Sequence, residues 1–295
     1  MTEHPHVTPD EMKQALLQVF KFLKQFLSDH QLRYVACGGT VLGAVRHQGF
    51  IPWDDDIDIY MPRADYQKLL TMNDVLRPLG YEIISYRDKG YYMPFAKISS
   101  LNSTIWEFQR LPYIMGVYVD NFPLDEFSDT DAGITALQYR SHYFFDKYIN
   151  AVSHYPFSFL LKNLLRMDVH QVGLYVLNCY RKRSPERYLQ AFIDFENSYI
   201  GGKGPSCVCV TQWEGRIFQS QWFHDTIELP FEDTTVTVPR AYEAYLTLLY
   251  KYYLTLPPLE KRQSHPHYFV DFHKRYSLDE VVEMKKRCSV NKKTL

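Results

Sequence analysis

The chain has 295 residues, enough for one large domain or two small ones around a sizeable core. Its 33 Lys and Arg against 34 Asp and Glu leave a net charge of -1, which argues against a general nucleic-acid binder, because phosphate contacts need a basic excess. Five cysteines without a paired CxxC spacing argue against a zinc or disulfide scaffold and point to reduced thiols.

The segment Met1 to Asp10 is polar and has no apolar stretch of the signal-peptide kind, and no run reaches the roughly 18 apolar residues of a spanning helix. The expected location is therefore cytoplasmic. Thr8, Pro9 and Glu11 form an N-cap, an N1 proline and the acid of a capping box. Met12, Ala15, Leu16, Val19, Leu23, Phe26 and Leu27 then repeat at helical spacing, so a first helix runs to about Asp29. Arg33 to Ala36 reads as a strand, Gly38-Gly39-Thr40 as a tight turn, and Thr40 to His47 as a short helix. Asp56 to Tyr60 alternates as a strand, and Pro62 opens another helix. Tyr81 to Tyr86, Tyr92 to Ile98 and Ile114 to Asp120 are further strand candidates. Residues Thr130 to Tyr199 have mainly helical periodicity, and Gly201-Gly202-Lys203-Gly204-Pro205 breaks it. Val208 to Val210 and Thr234 to Val238 read as strands and Pro239 to Tyr253 as a helix, while the basic tail from Lys285 is expected to fray. The pattern is α+β, with strands concentrated in the first 125 residues, a mainly helical insertion over 126–204 and a C-terminal segment over 205–295 that completes the site.

The chemistry concentrates in Trp53-Asp54-Asp55-Asp56-Ile57-Asp58-Ile59-Tyr60. On a strand, Asp56 and Asp58 share one face and Ile57 and Ile59 the other, with Asp54 in the same parity if the strand extends that far. Carboxylates two residues apart can hold a hard cation between them; without one they repel and raise one another's pKa. A solvated acidic turn is the alternative, but the apolar residues interleaved with the run favour a metal site. Upstream, the Gly38, Gly39 and Thr40 turn opens a helix whose first N–H groups suit a phosphate. Arg46 is either a phosphate clamp or a surface arginine. Asp120 shares a face with Tyr118 and either joins the cluster or caps the turn before Phe122-Pro123. Lys97, in an apolar strand, needs a partner such as a phosphate or the carboxylates, unless it guards a sheet edge.

The uninterrupted run from Gly38 through Val41, Gly43, Arg46, Gly49 and Pro52 to Asp58 resembles the signature of the LicD family of phosphocholine transferases, which has fukutin-like relatives. Pro94-Phe95-Ala96-Lys97-Ile98 with Asn102-Ser103-Thr104, and Gly116 to Asp120 with Phe122-Pro123-Leu124-Asp125, resemble further blocks of that family. So do Leu229 to Asp233, Val238-Pro239, Tyr242 to Tyr245 and Pro257-Pro258. The resemblance implies a nucleotidyltransferase-like mixed sheet with flanking helices. It also implies Mg²⁺ (or Mn²⁺) held by Asp54, Asp56, Asp58 and Asp120, with Asp56, Asp58 and Asp120 catalytic. Gly38, Gly39, Thr40, Arg46 and Lys97 would then face phosphate or nucleotide, and His47, Trp53, Tyr92 and Trp213 are possible substrate contacts.

The implied reaction moves phosphocholine from CDP-choline, or another alcohol phosphate from a CDP-alcohol, to a hydroxyl of a cell-surface glycan or its lipid-linked precursor, such as lipopolysaccharide or teichoic acid. CMP leaves. A nucleotidyltransferase using CTP, a CDP-ribitol or CDP-glycerol enzyme, and an inactive binding protein on the same scaffold are the competing readings. Choline calls for an aromatic cage, for which Tyr91, Tyr92, Trp106, Tyr113, Trp213 and Trp222 are available, although aromatic side chains are more often core. His265 and His267 read as metal ligands or as a polar loop at the substrate mouth. Tyr155 to Arg166, apolar and basic, reads either as a buried helix or as a peripheral membrane contact.

Overall fold

The computed structural model describes residues 8–200, 202–212, 216–262, 264–265 and 267–291. In chain order the first half contains α1 (Pro9–Asp29), β1 (Val35–Ala36), α2 (Gly38–His47), β2 (Asp58–Pro62), α3 (Arg63–Leu69), α4 (Asn73–Leu76), β3 (Tyr81–Ile84), β4 (Ala96–Ser100), β5 (Thr104–Trp106) and β6 (Tyr118–Phe127). Four helices follow: α5 (Asp131–Val152), α6 (Phe157–Leu165), α7 (Val169–Arg181) and α8 (Pro185–Asn197). The remainder holds β7 (Ser206–Val208), β8 (Phe218–Gln219), β9 (Thr226–Phe231), β10 (Thr234–Pro239), α9 (Tyr242–Tyr250), β11 (Phe269–Asp271) and α10 (Leu278–Asn291). The architecture is mixed α+β.

Helix α1 forms where its sequence signals place it. Thr8 accepts the Glu11 N–H and Glu11 returns the bond to the Thr8 N–H, which closes the capping box. Met12, Leu16, Val19, Phe20, Leu23, Phe26 and Leu27 make its buried stripe, which lies against the main sheet.

That sheet runs β1-β2-β6-β4-β3, with β7 continuing the far half of β6 and β8 pairing β7. Only the β2–β6 pair is parallel; the others are antiparallel. Strand β6 is the hub, because its first half pairs with β2 and β4 and its last three residues pair with β7. It runs through Asn121-Phe122-Pro123, where the sequence allowed a turn. Pro123 is tolerated because the β4 pairing has ended at Asn121, so its missing N–H costs no bond on that side.

Two boundaries differ from expectation in ways that matter for the site. Strand β2 begins at Asp58, not Asp56, so Asp54, Asp55 and Asp56 lie in the segment that leads into it. The strand-parity argument therefore holds for Asp58 alone, although Ile57 and Ile59 are fully buried as it required. Helix α2 begins at Gly38, so the glycines form its first turn. Gly38 takes φ +53°, the left-handed region open to glycine, and this redirects the chain from β1 into α2.

Helices α5 and α8 pack together, and Arg63 ties them to the sheet. Its guanidinium makes two bonds to Asp125 of β6, at 2.6 and 2.8 Å, and one of 2.9 Å to Glu196 of α8, all buried. Tyr86 also donates to Glu196. The β9–β10 hairpin turns at Glu232-Asp233. The Glu232 carboxylate accepts the Phe50 N–H at 2.9 Å and its N–H reaches Gln48 O at 2.8 Å. The hairpin thus fixes the loop that delivers the aspartates. Helix α10 continues through the expected frayed tail as far as Asn291.

Candidate active site

Asp58 opens β2, and Asp120 is its register partner on the parallel neighbour β6. Adjacent strands lie about 4.8 Å apart, so the two carboxylates emerge side by side. Lys97 of β4 is the next residue in the same row, paired in register with Asp120. Its ammonium is 2.7 Å from Asp120 Oδ1 and 3.8 Å from Glu107, and it lies 3.4 Å from the Tyr118 ring centroid. Tyr92 and Tyr118 both donate their hydroxyls to Glu107. Burial alone would lower the Lys97 pKa, but Asp120 and Glu107 outweigh it and hold the ammonium charged.

A cavity of about 400 Å³ opens beside this row. Gly39, Arg46, Trp53, Asp54, Asp56 and Asp58 line it, together with Tyr250 at the end of α9 and Tyr252, Tyr253, Thr255 and Pro257 beyond it. Gly39 is where the helix start meets the acidic segment, since a Cβ there would stand 2.6 Å from Asp54 Oδ2. Asp58 is held by its own N–H, which donates to the Thr40 hydroxyl at 2.9 Å. Arg46 donates to Tyr253 O and to His47 Nε2, both at 2.9 Å. The Trp53 ring carries the Arg46 and Arg262 guanidiniums at 5.9 and 4.9 Å from its centroid.

Several expected contacts take other places. The Gly38 N–H is already bonded to the Tyr245 hydroxyl and the Thr40 N–H to Cys37 O, so the Gly39 N–H is the donor left at the helix start among the described residues. Thr40 braces Asp58, and Lys97 lies beneath the cluster against Asp120 with its side chain 2% exposed. Tyr92 is core: it is buried, and its hydroxyl is spent on Glu107. Tyr91 and Trp106 are buried with it, and Tyr113 and Trp222 are packed on the apolar clusters. Trp213 lies outside the described residues. The rings that reach the cavity are Trp53, Tyr250, Tyr252 and Tyr253.

Electrostatics mark the cluster as a place short of positive charge. Burial raises the carboxyls of Asp54, Asp58 and Asp120, and mutual repulsion adds to this for Asp58, while Lys97 opposes it at Asp120. Asp56 is pushed up to about 7 by burial and then by the charge of Asp54. Asp55 goes the other way. Burial would raise it, but His265 donates to its Oδ1 from both ring and backbone, at 2.8 and 3.1 Å, and His267 Nε2 stands 3.7 Å from Oδ2. These hold it well below the usual carboxylate range. His265 is pushed up to about 9 in return, first by the Asp55 hydrogen bond. The β11–β5 pairing, Phe269 against Trp106, brings these histidines back to the aspartates.

This donor set suits a hard divalent cation, because carboxylate oxygens are its preferred ligands and their raised pKa values register uncompensated charge. Asp54, Asp55 and His265 are the group of three whose donor atoms all fall within 4.8 Å of one another among the described residues. Asp55 and His265 already bond each other, so the oxygens of Asp54, Asp56, Asp58 and Asp120 must draw closer for those four to form a full ligand shell.

Sequence reasoning did not single out Asp55, Tyr250, Tyr252, Tyr253 or Glu107. The Tyr-rich run at the end of α9 and just beyond it is the one visible signal, and its aromatic density reads equally well as core.

Residues 31–161 match the family model described as LicD/FKTN/FKRP, nucleotidyltransferase domain. The lipopolysaccharide cholinephosphotransferase LicD of Haemophilus influenzae is 24% identical over 278 residues, covering 88% of this chain and 96% of that one. Uncharacterized proteins of Rickettsia prowazekii and Rickettsia typhi are 39% and 40% identical, over 69 and 72 residues, about a quarter of each chain. Residues 31–161, which contain every aspartate of the cavity together with the Asp120–Lys97 pair, form a domain of the LicD family.

Proposed function

We propose that this chain transfers phosphocholine, or a closely related alcohol phosphate, from a CDP-linked donor to a glycan hydroxyl and releases CMP. The observation that carries this reading is the cavity itself. Three carboxylates, a helix-start N–H and an arginine converge on one space of about 400 Å³, a size suited to a small-molecule donor. The H. influenzae relative, named a lipopolysaccharide cholinephosphotransferase, supports choline as the alcohol and lipopolysaccharide as the acceptor.

Phosphoryl transfer needs charge neutralisation and alignment more than covalent help from the protein. A divalent cation such as Mg²⁺ or Mn²⁺, held by Asp54, Asp56 and Asp58 with Asp120 behind them, would neutralise the donor diphosphate. The Gly39 N–H and the Arg46 guanidinium, both on the cavity wall, bind phosphate oxygens as charge shifts to the leaving CMP. The acceptor oxygen bonds to the phosphorus that bears choline, the bond from that phosphorus to the bridging oxygen breaks, and the hydroxyl proton passes to a cavity carboxylate. Asp58 is better placed for this than Asp120, which does not line the cavity and is locked to Lys97. Lys97 then acts as a positioning residue that keeps Asp120 ionised and oriented. The faces of Tyr250, Tyr252 and Tyr253 offer the quaternary ammonium its cation–π contacts.

The test is product analysis. The protein is incubated with Mg²⁺, lipopolysaccharide acceptor and a panel of CDP-choline, CDP-ribitol, CDP-glycerol and CTP. CMP release with CDP-choline supports the proposal; pyrophosphate release from CTP would instead make the protein a nucleotidyltransferase.

A further inference from the structure

The α6–α7 hairpin presents an apolar surface that no other described residue covers. Asn163 is the one buried residue of α6 among those described. Phe157, Leu161, Leu164 and Leu165 of α6 are exposed, the turn beyond adds Met167, and α7 opens with Val169. Leu165 and Met167 are each 86% exposed and Val169 80%, values far from those of a helix packed in a core. Met167 also takes φ +54°, a left-handed position where glycine or asparagine would be easier, so a large apolar side chain is displayed there at a conformational cost. The expectation of a buried helix over Tyr155 to Arg166 is therefore overturned.

The hairpin is firmly mounted. Asn178 of α7 donates to Asn150 O and Ser153 O at the end of α5, and α5 is tied to α8 and, through Arg63, to the sheet. Helix α6 lies on α7 and is the outermost element of this stack.

Charge selects the occupant. Between Tyr155 and Ser184 there are five basic residues against one acidic residue, Asp168, in a chain whose net charge is -1; Lys162 and Arg166 lie by the tip, and Arg181, Lys182 and Arg183 at the far end of α7. Asp168 is used to cap α7 by accepting the Gln171 N–H. Among the described residues, none of the five basic groups makes an ion pair. A short helix with protruding Leu, Phe and Met beside unpaired Lys and Arg is the chemistry of an interfacial anchor on anionic lipid. No described helix is long and apolar enough to cross a membrane, so this contact would be peripheral.

We infer that the α6–α7 tip is a membrane-docking surface that inserts Leu165, Met167 and Val169 into the interface of an anionic bilayer while Lys162 and Arg166 engage its phosphate headgroups. The inference does not depend on the transfer reaction. It would, however, bring the protein to the kind of surface that carries a lipid-borne acceptor.

Flotation of the full-length protein tests it, with vesicles of equimolar phosphatidylglycerol and phosphatidylcholine and with vesicles of phosphatidylcholine alone. The neutral vesicles control for recognition of choline headgroups. Stronger binding to the anionic vesicles is expected, weakened about tenfold or more in a Leu165→Glu/Met167→Glu variant, the effect of exchanging buried apolar side chains for charges. Lys162→Gln/Arg166→Gln should reduce binding and flatten its salt dependence. All four positions are exposed, so circular dichroism should be unchanged. Absence of binding to anionic vesicles, or equal binding by the Glu variant, overturns the inference. So does a wild-type dimer in light scattering that the Glu variant dissolves, if neither protein binds vesicles; the surface would then join two copies of the chain.

Discussion

At the scale of single residues, Asp58 and Asp120 stand side by side on parallel strands and Lys97 completes the row. Burial and repulsion disfavour the ionised form of Asp58, so the cluster carries a cost that a bound cation would relieve. Asp58→Asn removes that cost and the proposed ligand together. Turnover should fall by roughly a thousandfold or more, while the melting temperature of the metal-free protein holds or rises. Kinetics and a thermal melt on one preparation check both. Asp56 gives a pH signature. Its folded value of about 7 lies above the roughly 4 of an unfolded aspartate, so the folded state binds the extra proton. Metal-free stability should therefore decline as pH rises from about 4 to about 7. His265, raised to about 9, adds a loss of the same sign above about 6.5. Urea titrations in chelator across this range would show it, and saturating Mg²⁺ should remove the part due to Asp56, because a bound cation displaces that proton. Gly39→Ala is the steric counterpart. The new methyl group would crowd the Asp54 carboxylate, so metal and donor affinity should drop with little change in the fold, as calorimetry can record.

At the scale of elements, the buried Arg63–Asp125–Glu196 network joins helix α8 to strand β6. Arg63→Ala would leave two buried carboxylates without their cation, and a destabilisation of about 3–5 kcal/mol is expected in urea unfolding. Elements with strong local signals were legible in the sequence. The capping box and apolar stripe gave α1, and helical periodicity gave the α5–α8 region. Elements defined by partners were less so. Strand β6 was read as ending near Asp120, because Asn-Phe-Pro resembles a turn until β2 and β7 are seen to pair with it. The start of β2 was placed two residues early, because alternation of Asp and Ile looks the same in an extended loop as in a strand. Strands β9 and β11 carry little alternation and exist through their pairing with β10 and β5.

For the molecule as a whole, the site joins a legible half to one that was not. Gly39, Arg46, Trp53, Asp54, Asp56 and Asp58 fall within twenty residues, and the glycine turn, the acidic run and the family resemblance together single them out as one site, which the cavity they line brings together. Tyr250, Tyr252, Tyr253 and His265 arrive from some two hundred residues further along, and only the β5–β11 pairing and the seat of α9 against α2 bring them in. Lys97 and Tyr92 show the converse: the sequence marks one as a lysine in an apolar strand that needs an anion and the other as a candidate ring for the substrate, but not that Asp120 would be the first partner of Lys97 or that Glu107 would claim the Tyr92 hydroxyl. The account rests on the carboxylate cavity being a metal and diphosphate site. Calorimetric titration of the full-length protein with CDP-choline tests this most directly, in Mg²⁺, in chelator, and for an Asp56→Asn variant in Mg²⁺. The account predicts binding in Mg²⁺ that is lost in chelator and lost or strongly weakened in the variant, with an unchanged circular dichroism spectrum. Equal binding under all three conditions would contradict it.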